Sequence, residues 1–342
     1  MELTVEDSKV RLDKYLAAHS TESRGKVQRD IEAGLVNVNG MKVLETDFTV
    51  RQGNVVSYSP SAKEELVPIN LELKILYNNH GLLIIDKPAG LSVHPGAGFK
   101  GNTLAAALLY QFSVKGGSAF SGKDIALVGE EGRPGIVHRL DKDTSGVILV
   151  ARTQEMYEYL KDAFKERKIK KEYLALVAGN MEKNHDLIDI PIGKNKRDFR
   201  KYTVQGMIEP KDSLTEYWVL ERFEKKGNPF PRVTLGQGSP SLSREGLGEG
   251  VIDEMTLIKV KLHTGRTHQI RVHMASVGHP LMGDTLYGGK NSKLHGLNRQ
   301  FLHAKKIEVR LPDGTWIEAI SDLPDDLKQV LIKLNSKIVK NI

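Results

Sequence analysis

Apolar and polar positions fall into sharply bounded blocks along this chain, and the clearest boundary lies at residues 135–153, GIVHRLDKDTSGVILVART. The apolar runs Ile136-Val137 and Val147-Ile148-Leu149-Val150-Ala151 read as two strands, and the polar cluster between them, Asp141-Lys142-Asp143-Thr144-Ser145-Gly146, has turn chemistry. Charge is therefore presented on a loop between strands, where a rigid sheet fixes a side chain while leaving it open to a ligand. Asp141 is the first candidate for chemistry.

Toward the N-terminus the period becomes helical. Leu12, Tyr15 and Leu16 within residues 10–20, and Val27 and Ile31 within residues 23–33 ahead of Gly34, predict two short helices. Residues 35–38 read as a strand leading through Asn39-Gly40, a strong hairpin dipeptide, into residues 41–43, and residues 54–58 give another strand. Exposed positions of this unit carry Arg11, Lys14, Arg24, Lys26, Arg29, Lys42 and Arg51. They make a basic face suited to a phosphate backbone, although an ordinary solvated helix surface has the same composition. Residues 59–68, SPSAKEELVP, have the proline ends and polar middle of a linker. A small domain over 1–59, a linker over 60–68 and a larger domain over 69–327, with a terminal helix and tail over 328–342, are expected.

In the larger domain, strands are expected at Ile75-Leu76-Tyr77, residues 82–85, residues 173–177, residues 214–220 and residues 256–262. Alternation puts Tyr173, Ala175 and Val177 on one face. A helix spans residues 104–112, and the stripe Met156, Tyr159, Leu160, Ala163 and Phe164 marks another, capped by Thr153. Residues 264–278 read as a turn followed by a helix capped by Thr267, with Ile270, Met274 and Val277 buried and Gly278 closing it. Leu327, Val330, Leu331 and Leu334 mark the terminal helix, and residues 225–250, rich in Gly, Pro and Ser, form a surface insertion.

Composition narrows the classes. With 342 residues, 39% hydrophobic and 27% charged, the chain can bury a sizeable core. A formal net charge of +7 fits a polyanionic partner without requiring one. The lack of cysteine excludes disulfides, thiolate zinc sites and Cys nucleophiles, and points to the cytoplasm. The N-terminal residues lack a signal pattern, and no apolar run approaches the ~18 residues of a membrane span.

Several constellations fail as sites. Residues 96–101 satisfy the spacing Gly-x-Gly-x-x-Gly, but Pro95 precedes them and no strand ending in an acid follows, so the dinucleotide reading is rejected. Asp141-x-Asp143-x-Ser145-Gly146 opens like a calcium loop, yet its twelfth position is Arg152 and a strand follows. His263, His268, His273 and His279 lack metal-ligand spacing, and no nucleophile elbow or phosphate-binding loop occurs. What remains is Asp141 on its loop, Tyr173 on a strand, and Arg271 in the first turn of a helix. An ionised aspartate is a competent nucleophile, and an arginine partner orients it. Taken singly, Tyr173 as half-buried core and Arg271 as a structural ion pair remain the simpler readings.

The motifs HRLDKDTSG, DKPAGLSVHPGAG, KKEYLALVAG and LHTGRTHQIRVHMASVGHPLMGD resemble those of the RluA/RluD family of RNA pseudouridine synthases over about residues 69–327. At the N-terminus, RLDKYLA, Ser23-Arg24, Ile31 and GLVNVNG resemble the S4-like RNA-binding domain. The resemblance implies an α+β fold: a small S4-like domain and a catalytic domain on a mixed, mainly antiparallel central sheet. It implies isomerisation of uridine to pseudouridine, and is closest to RluD-type enzymes of large-subunit (23S) ribosomal RNA. The alternatives are the same chemistry on tRNA or another RNA, or a non-catalytic RNA-binding or ribosome assembly factor. Carried over by motif, Asp141 is the catalytic aspartate, Tyr173 the active-site tyrosine, Arg271 the partner of the aspartate, and Arg139 the arginine beside the flipped base. No metal or cofactor is called for, and either a covalent aspartyl or a glycal route is open. Arg11, Lys14, Arg24, Lys26 and Arg29 are expected to meet RNA. The family commonly has Ala-x-Thr where this chain has Ser213-Leu214-Thr215, and a shorter turn in place of residues 225–250. A monomer is the default.

Overall fold

The computed structural model describes residues 1–61, 66–95, 101–114, 125, 128–130, 132–198, 201–223, 254–288, 294 and 296–338. The insertion expected at 225–250 and residues 96–100 of the glycine motif lie outside the described residues. The chain forms two compact units, Met1–Glu65 and Leu66–Ile342. No described helix is long and apolar enough to cross a membrane.

In the first unit the two expected helices form at Leu12–His19 and Arg24–Glu32. Leu12, Tyr15, Leu16, Val27 and Ile31 close on Val36, Val38, Val50, Val56 and Tyr58 in one apolar cluster. Its sheet runs Glu2–Thr4, Val55–Tyr58, Val36–Val38, Met41–Lys42, antiparallel throughout. Asn39 and Gly40 both take positive φ, 50° and 78°, as a tight two-residue hairpin of this hand demands. The strand Glu2–Thr4 and the short pair Val10–Arg11 with Thr49–Val50 were not expected, being too brief for a period to register.

Charge fixes how the two helices meet. Asp13 is fully buried and accepts hydrogen bonds from Arg11 at 3.1 Å, Arg24 at 2.8 Å and Gln28 at 2.7 Å. Burial alone would push this carboxyl up, but the three donors outweigh it and bring it down to about 2. Lys26 turns to Glu22 at 3.2 Å and to the Ser61 carbonyl at 2.9 Å. Three of the five cations expected to meet RNA are thus held by groups of their own unit. Lys14 and Arg29 stand exposed, with no ion pair among the described residues.

Nine of the described strands of the second unit form one sheet. Across it run His185–Asp189, Leu214–Phe223, Met255–Leu262, Lys170–Ala178, Leu302–Arg310, Ser145–Ala151, Leu82–Lys87 and Lys74–Asn78, with Trp316–Ile320 also against Leu302–Arg310. Every pairing is antiparallel except that of Ser145–Ala151 with Leu302–Arg310, which gives the mixed, mainly antiparallel sheet anticipated above. At the parallel seam Gly146 has φ 114°, and a Cβ there would lie 2.2 Å from the Ala304 carbonyl oxygen. Glycine is required for the two strands to meet.

Alternation sorts side chains into two layers. Tyr173, Ala175 and Val177 share one face with Ile148, Val150, Ile258 and Val260, covered by the helices Leu104–Leu109 and Gln269–Ser276. On the other face Leu174, Leu176 and Leu257 lie under Leu327, Val330 and Leu331 of the helix Asp325–Lys333. Val147, Leu149 and Ala151 lie under the helix Gln154–Lys165.

Several details correct the sequence reading. Thr153 does cap Gln154–Lys165, accepting from the Met156 amide at 3.2 Å, but the fully buried stripe is Tyr157, Leu160 and Ala163, with Met156, Tyr159 and Phe164 at its margins. Ile136-Val137 is not a strand. Ile136 makes one isolated bridge to Val150, and the segment leaves the sheet because the His138 ring takes the Leu149 amide at 2.8 Å. The helix expected over residues 104–112 is α-helical to Leu109 and continues as the π-helical turn Tyr110–Val114.

Because the Asp13 carboxyl is depressed below its ordinary value, its contribution to stability is complete above about pH 4 and is lost as pH falls toward 2. Asp13→Ala is expected to weaken the first unit by about 2–3 kcal/mol at neutral pH. Hydrogen exchange at the amides of Leu12–His19 and Arg24–Glu32 measures this in the full chain: the variant exchanges faster at pH 7, and the difference from the parent shrinks below pH 3.

Candidate active site

A cleft of about 470 Å3 opens on the second unit where the loop after Val137, the end of the helix Gln154–Lys165, the start of the strand Lys170–Ala178 and the turn before the helix Gln269–Ser276 converge. Asp141 stands in its wall on the loop that enters the strand Ser145–Ala151. Neighbouring segments hold that loop. The Thr144 amide donates to the Asp141 carbonyl at 3.1 Å, Arg299 donates to the Asp143 carbonyl at 3.1 Å, and Gln300 donates to the Thr144 hydroxyl at 3.2 Å. Ser145 meets His303 at 3.0 Å in the buried seam below.

Lys87 secures the loop from beneath. Its side chain is fully buried, yet all three ammonium hydrogens have acceptors, the carbonyls of Pro88 at 2.8 Å, Leu91 at 2.9 Å and Lys142 at 3.1 Å. Burial lowers its pKa to about 7, against the opposing pull of Asp141 and Asp143.

The Asp141 carboxylate faces Arg271, whose Nη1 donates to Oδ2 at 3.1 Å. Arg271 is itself clamped by Asp284, donating from Nε at 2.7 Å and from Nη2 at 2.9 Å. Asp284 is fully buried, and its Oδ1 also accepts the amides of Leu286 and Tyr287. A Cβ on the preceding Gly283, at φ 77°, would collide with the Arg299 carbonyl oxygen at 1.9 Å, so the turn carrying Asp284 depends on that glycine. Burial alone would make the guanidinium easier to deprotonate, but Asp284 and then Asp141 more than reverse this, and Arg271 remains a fixed cation. The Tyr287 ring lies 5.1 Å below it.

The turn ahead of Arg271 is locked by Gln269, not by the expected cap Thr267. Gln269 Oε1 accepts from the Thr264 hydroxyl at 2.8 Å and the Arg266 amide at 2.9 Å, while Nε2 donates to the Thr215 hydroxyl at 2.9 Å. His268 precedes the helix in left-handed backbone, φ 56°, and its ring turns to the Tyr287 hydroxyl at 2.8 Å instead of capping. That hydroxyl accepts the Tyr202 amide at 2.9 Å. His268 Nε2 stands 3.9 Å from Asp141 Oδ1. Ile270 and Met274 are buried as expected, but Val277 is exposed. The four closely spaced histidines diverge: His263 meets Glu216, His268 Tyr287, His273 the Thr215 hydroxyl and His279 the Ala178 carbonyl.

Tyr173 also lines the cleft. Burial, reinforced by Asp141, pushes its phenol well above the ordinary value, so the hydroxyl keeps its proton at neutral pH. Arg139 is exposed at the cleft wall. The structure therefore brings Asp141, Tyr173, Arg271 and Arg139 to one cleft, while Arg11, Lys14, Arg24, Lys26 and Arg29 belong to the first unit. Asp284, Lys87, His268 and Tyr287 were missed. The signal available for Asp284 was its place after Gly283 in the same motif as Arg271.

A profile of the RNA pseudouridylate synthase family matches residues 81–276, and one of the S4 domain matches residues 10–56. An uncharacterised RNA pseudouridine synthase of Aquifex aeolicus is 39% identical, over 86% of this chain and 82% of its own. The ribosomal large subunit pseudouridine synthase D of Xanthomonas campestris pv. campestris is 34% identical over 95% of this chain and 88% of its own. Among solved structures, the human RNA pseudouridylate synthase domain containing 1 superimposes with a TM-score of 0.52 at 25% identity, covering 78% of this chain and 96% of that one.

Replacing Asp284 by alanine strands a buried guanidinium and two amides, and is expected to cost about 3–5 kcal/mol. Asp284→Asn, which keeps an acceptor oxygen, is expected to cost less. Urea unfolding followed by Trp218 and Trp316 fluorescence reads both; equal losses would show that the charge facing Arg271, not the backbone amides, dominates.

Proposed function

This chain belongs to the RNA pseudouridylate synthase family, and on that premise we propose that its target is large-subunit (23S) ribosomal RNA and that Asp141, Tyr173, Arg271 and Arg139 carry the reaction. The isomerisation breaks the bond between uracil N1 and ribose C1′, turns the base, and joins C5 to C1′; C5 gives up a proton and N1 ends with one. The uridine must leave its stack to reach such a site. A cleft of about 470 Å3 suits one nucleoside.

The observation that carries the residue assignment is the 3.1 Å pair of Asp141 with Arg271, held against the buried Asp284. A carboxylate so oriented can act at the sugar without spending free energy on reorganisation. Asp141 either bonds to C1′ or takes the 2′ proton, opening the covalent or the glycal route. Tyr173 supplies a ring against the uracil, and its raised pKa argues for that role rather than for a base acting on C5. Arg139, exposed at the wall, lies beside the extruded base. Residues 1–59 serve as the RNA-binding S4 domain and 69–327 as the catalytic domain, with Lys14 and Arg29 meeting the phosphate backbone and Arg11 and Arg24 presented from Asp13. The ribosomal target is supported by relatives named ribosomal large subunit pseudouridine synthase D, at 32% and 34% identity.

In a strain deleted for the protein, pseudouridine mapping should show specific 23S uridines unmodified, restored by the parent chain and not by Asp141→Asn. A missing modification in tRNA with intact 23S would redirect the target, and restoration by Asp141→Asn would overturn the residue assignment. For Tyr173, the ring should matter more than the hydroxyl to binding: Tyr173→Leu is expected to raise KM several-fold more than Tyr173→Phe, and equal KM values would remove the stacking role.

A further inference from the structure

Among the residues lining the cleft, the cations are Arg139, Lys165, Arg167, Lys171, Arg266 and Arg271, and the one carboxylate is Asp141. Asp141 is already committed to Arg271. Arg139, Lys165, Arg167 and Arg266 are exposed, where water solvates them. Lys171 differs: it is partly buried, on the same strand face as Tyr173, and its ammonium makes no hydrogen bond or ion pair among the described residues. Its neighbours include the Phe164 ring, 5.6 Å from Nζ, and the backbone of Gly265, neither of which offers an anion.

Lys87 is buried with an acceptor for each of its hydrogens, whereas an ammonium drawn partly out of water with neither acceptors nor an anion is costly, and such a group is placed to meet an anion that arrives with the ligand. The ligand here is RNA, whose anion is the phosphodiester. Uracil and ribose are neutral and would leave the charge uncompensated. Two residues of strand separate Lys171 from Tyr173 by about 6.6 Å, the order of the reach from a base to its own backbone phosphate. We propose that Lys171 binds the phosphodiester flanking the target uridine, so that the cleft grips the flipped nucleotide at both base and phosphate. Burial lowers the pKa of Lys171 to about 8, which leaves it mostly charged at neutral pH and only lightly solvated when the phosphate arrives.

This inference rests on the synthase reading, and the test separates the two. The probe is a stem–loop RNA containing the uridine found by mapping, made with normal linkages or with a neutral methylphosphonate at the linkage 5′ or 3′ of that uridine. Conversion by the parent chain, lost in Asp141→Asn, tests the synthase reading without reference to Lys171. Lys171→Met, isosteric and free of charge, is expected to raise KM about tenfold with kcat changed far less. The slope of log affinity against log salt should fall by about 0.7–0.9, the loss of one phosphate contact. At one of the two linkages the methylphosphonate should weaken binding by the parent about as much as Lys171→Met does, and cost the variant nothing further. The parent measurement alone keeps the proposal open to failure if the variant does not fold. An unchanged salt slope, additive losses from substitution and methylphosphonate, or tight binding of both neutral linkages by the parent would each overturn it.

Discussion

The guanidinium of Arg271 bridges two carboxylates, and the cleft depends on that bridge. Asp284 supplies the fixed side: fully buried, bonded twice to Arg271 and accepting two amides of its own turn. Asp141 supplies the open side, with one bond at 3.1 Å and partial access to the cleft. The asymmetry matters. A single Arg–Asp pair at a cleft wall would be free to swing, whereas a guanidinium clamped from behind presents its remaining N–H in one direction. Asp141 is aimed because Asp284 is not free to move.

The loop that carries Asp141 is held in the same manner, by satisfying polar groups in buried places. Lys87 gathers three carbonyls under it, Arg299 and Gln300 grip it from the segment leading into the strand Leu302–Arg310, and Gly146 lets that strand approach. None of these groups need touch a substrate. Each converts a flexible polar turn into a rigid one, and each would cost free energy if its partners were removed.

Much of this was legible from the chain, and what was not has a physical reason. Periodic segments declared themselves: helices form at Leu12–His19, Arg24–Glu32, Gln154–Lys165 and Asp325–Lys333, where apolar periodicity placed them, although the buried face of Gln154–Lys165 is turned toward Tyr157. The central strand Leu302–Arg310 escaped notice because its buried side changes face partway, Leu302 and Ala304 joining one core and Ile307 and Val309 the other, so no single alternation runs through it. The candidate residues Asp141, Tyr173 and Arg271 stood out through their motifs, but their convergence came from resemblance, since spacing cannot bring together residues 130 positions apart. The burial of Asp284 and Lys87 was hidden for another reason. In a glycine-rich turn or beside a proline, an acid or a lysine reads as solvated surface, and burial with full hydrogen bonding shows only in three dimensions.

The order of strands in the sheet has a consequence for how the protein is made. The strand Leu302–Arg310 lies between Ser145–Ala151 and Lys170–Ala178, strands made more than a hundred residues before it. Until it arrives, the loop bearing Asp141 lacks its neighbours at Arg299, Gln300 and His303. The first unit closes its core using residues from Leu3 to Tyr58 alone. A nascent chain therefore has the apolar core of its first unit complete long before its cleft can exist, and the cleft waits on a strand made more than a hundred residues after the loop it steadies.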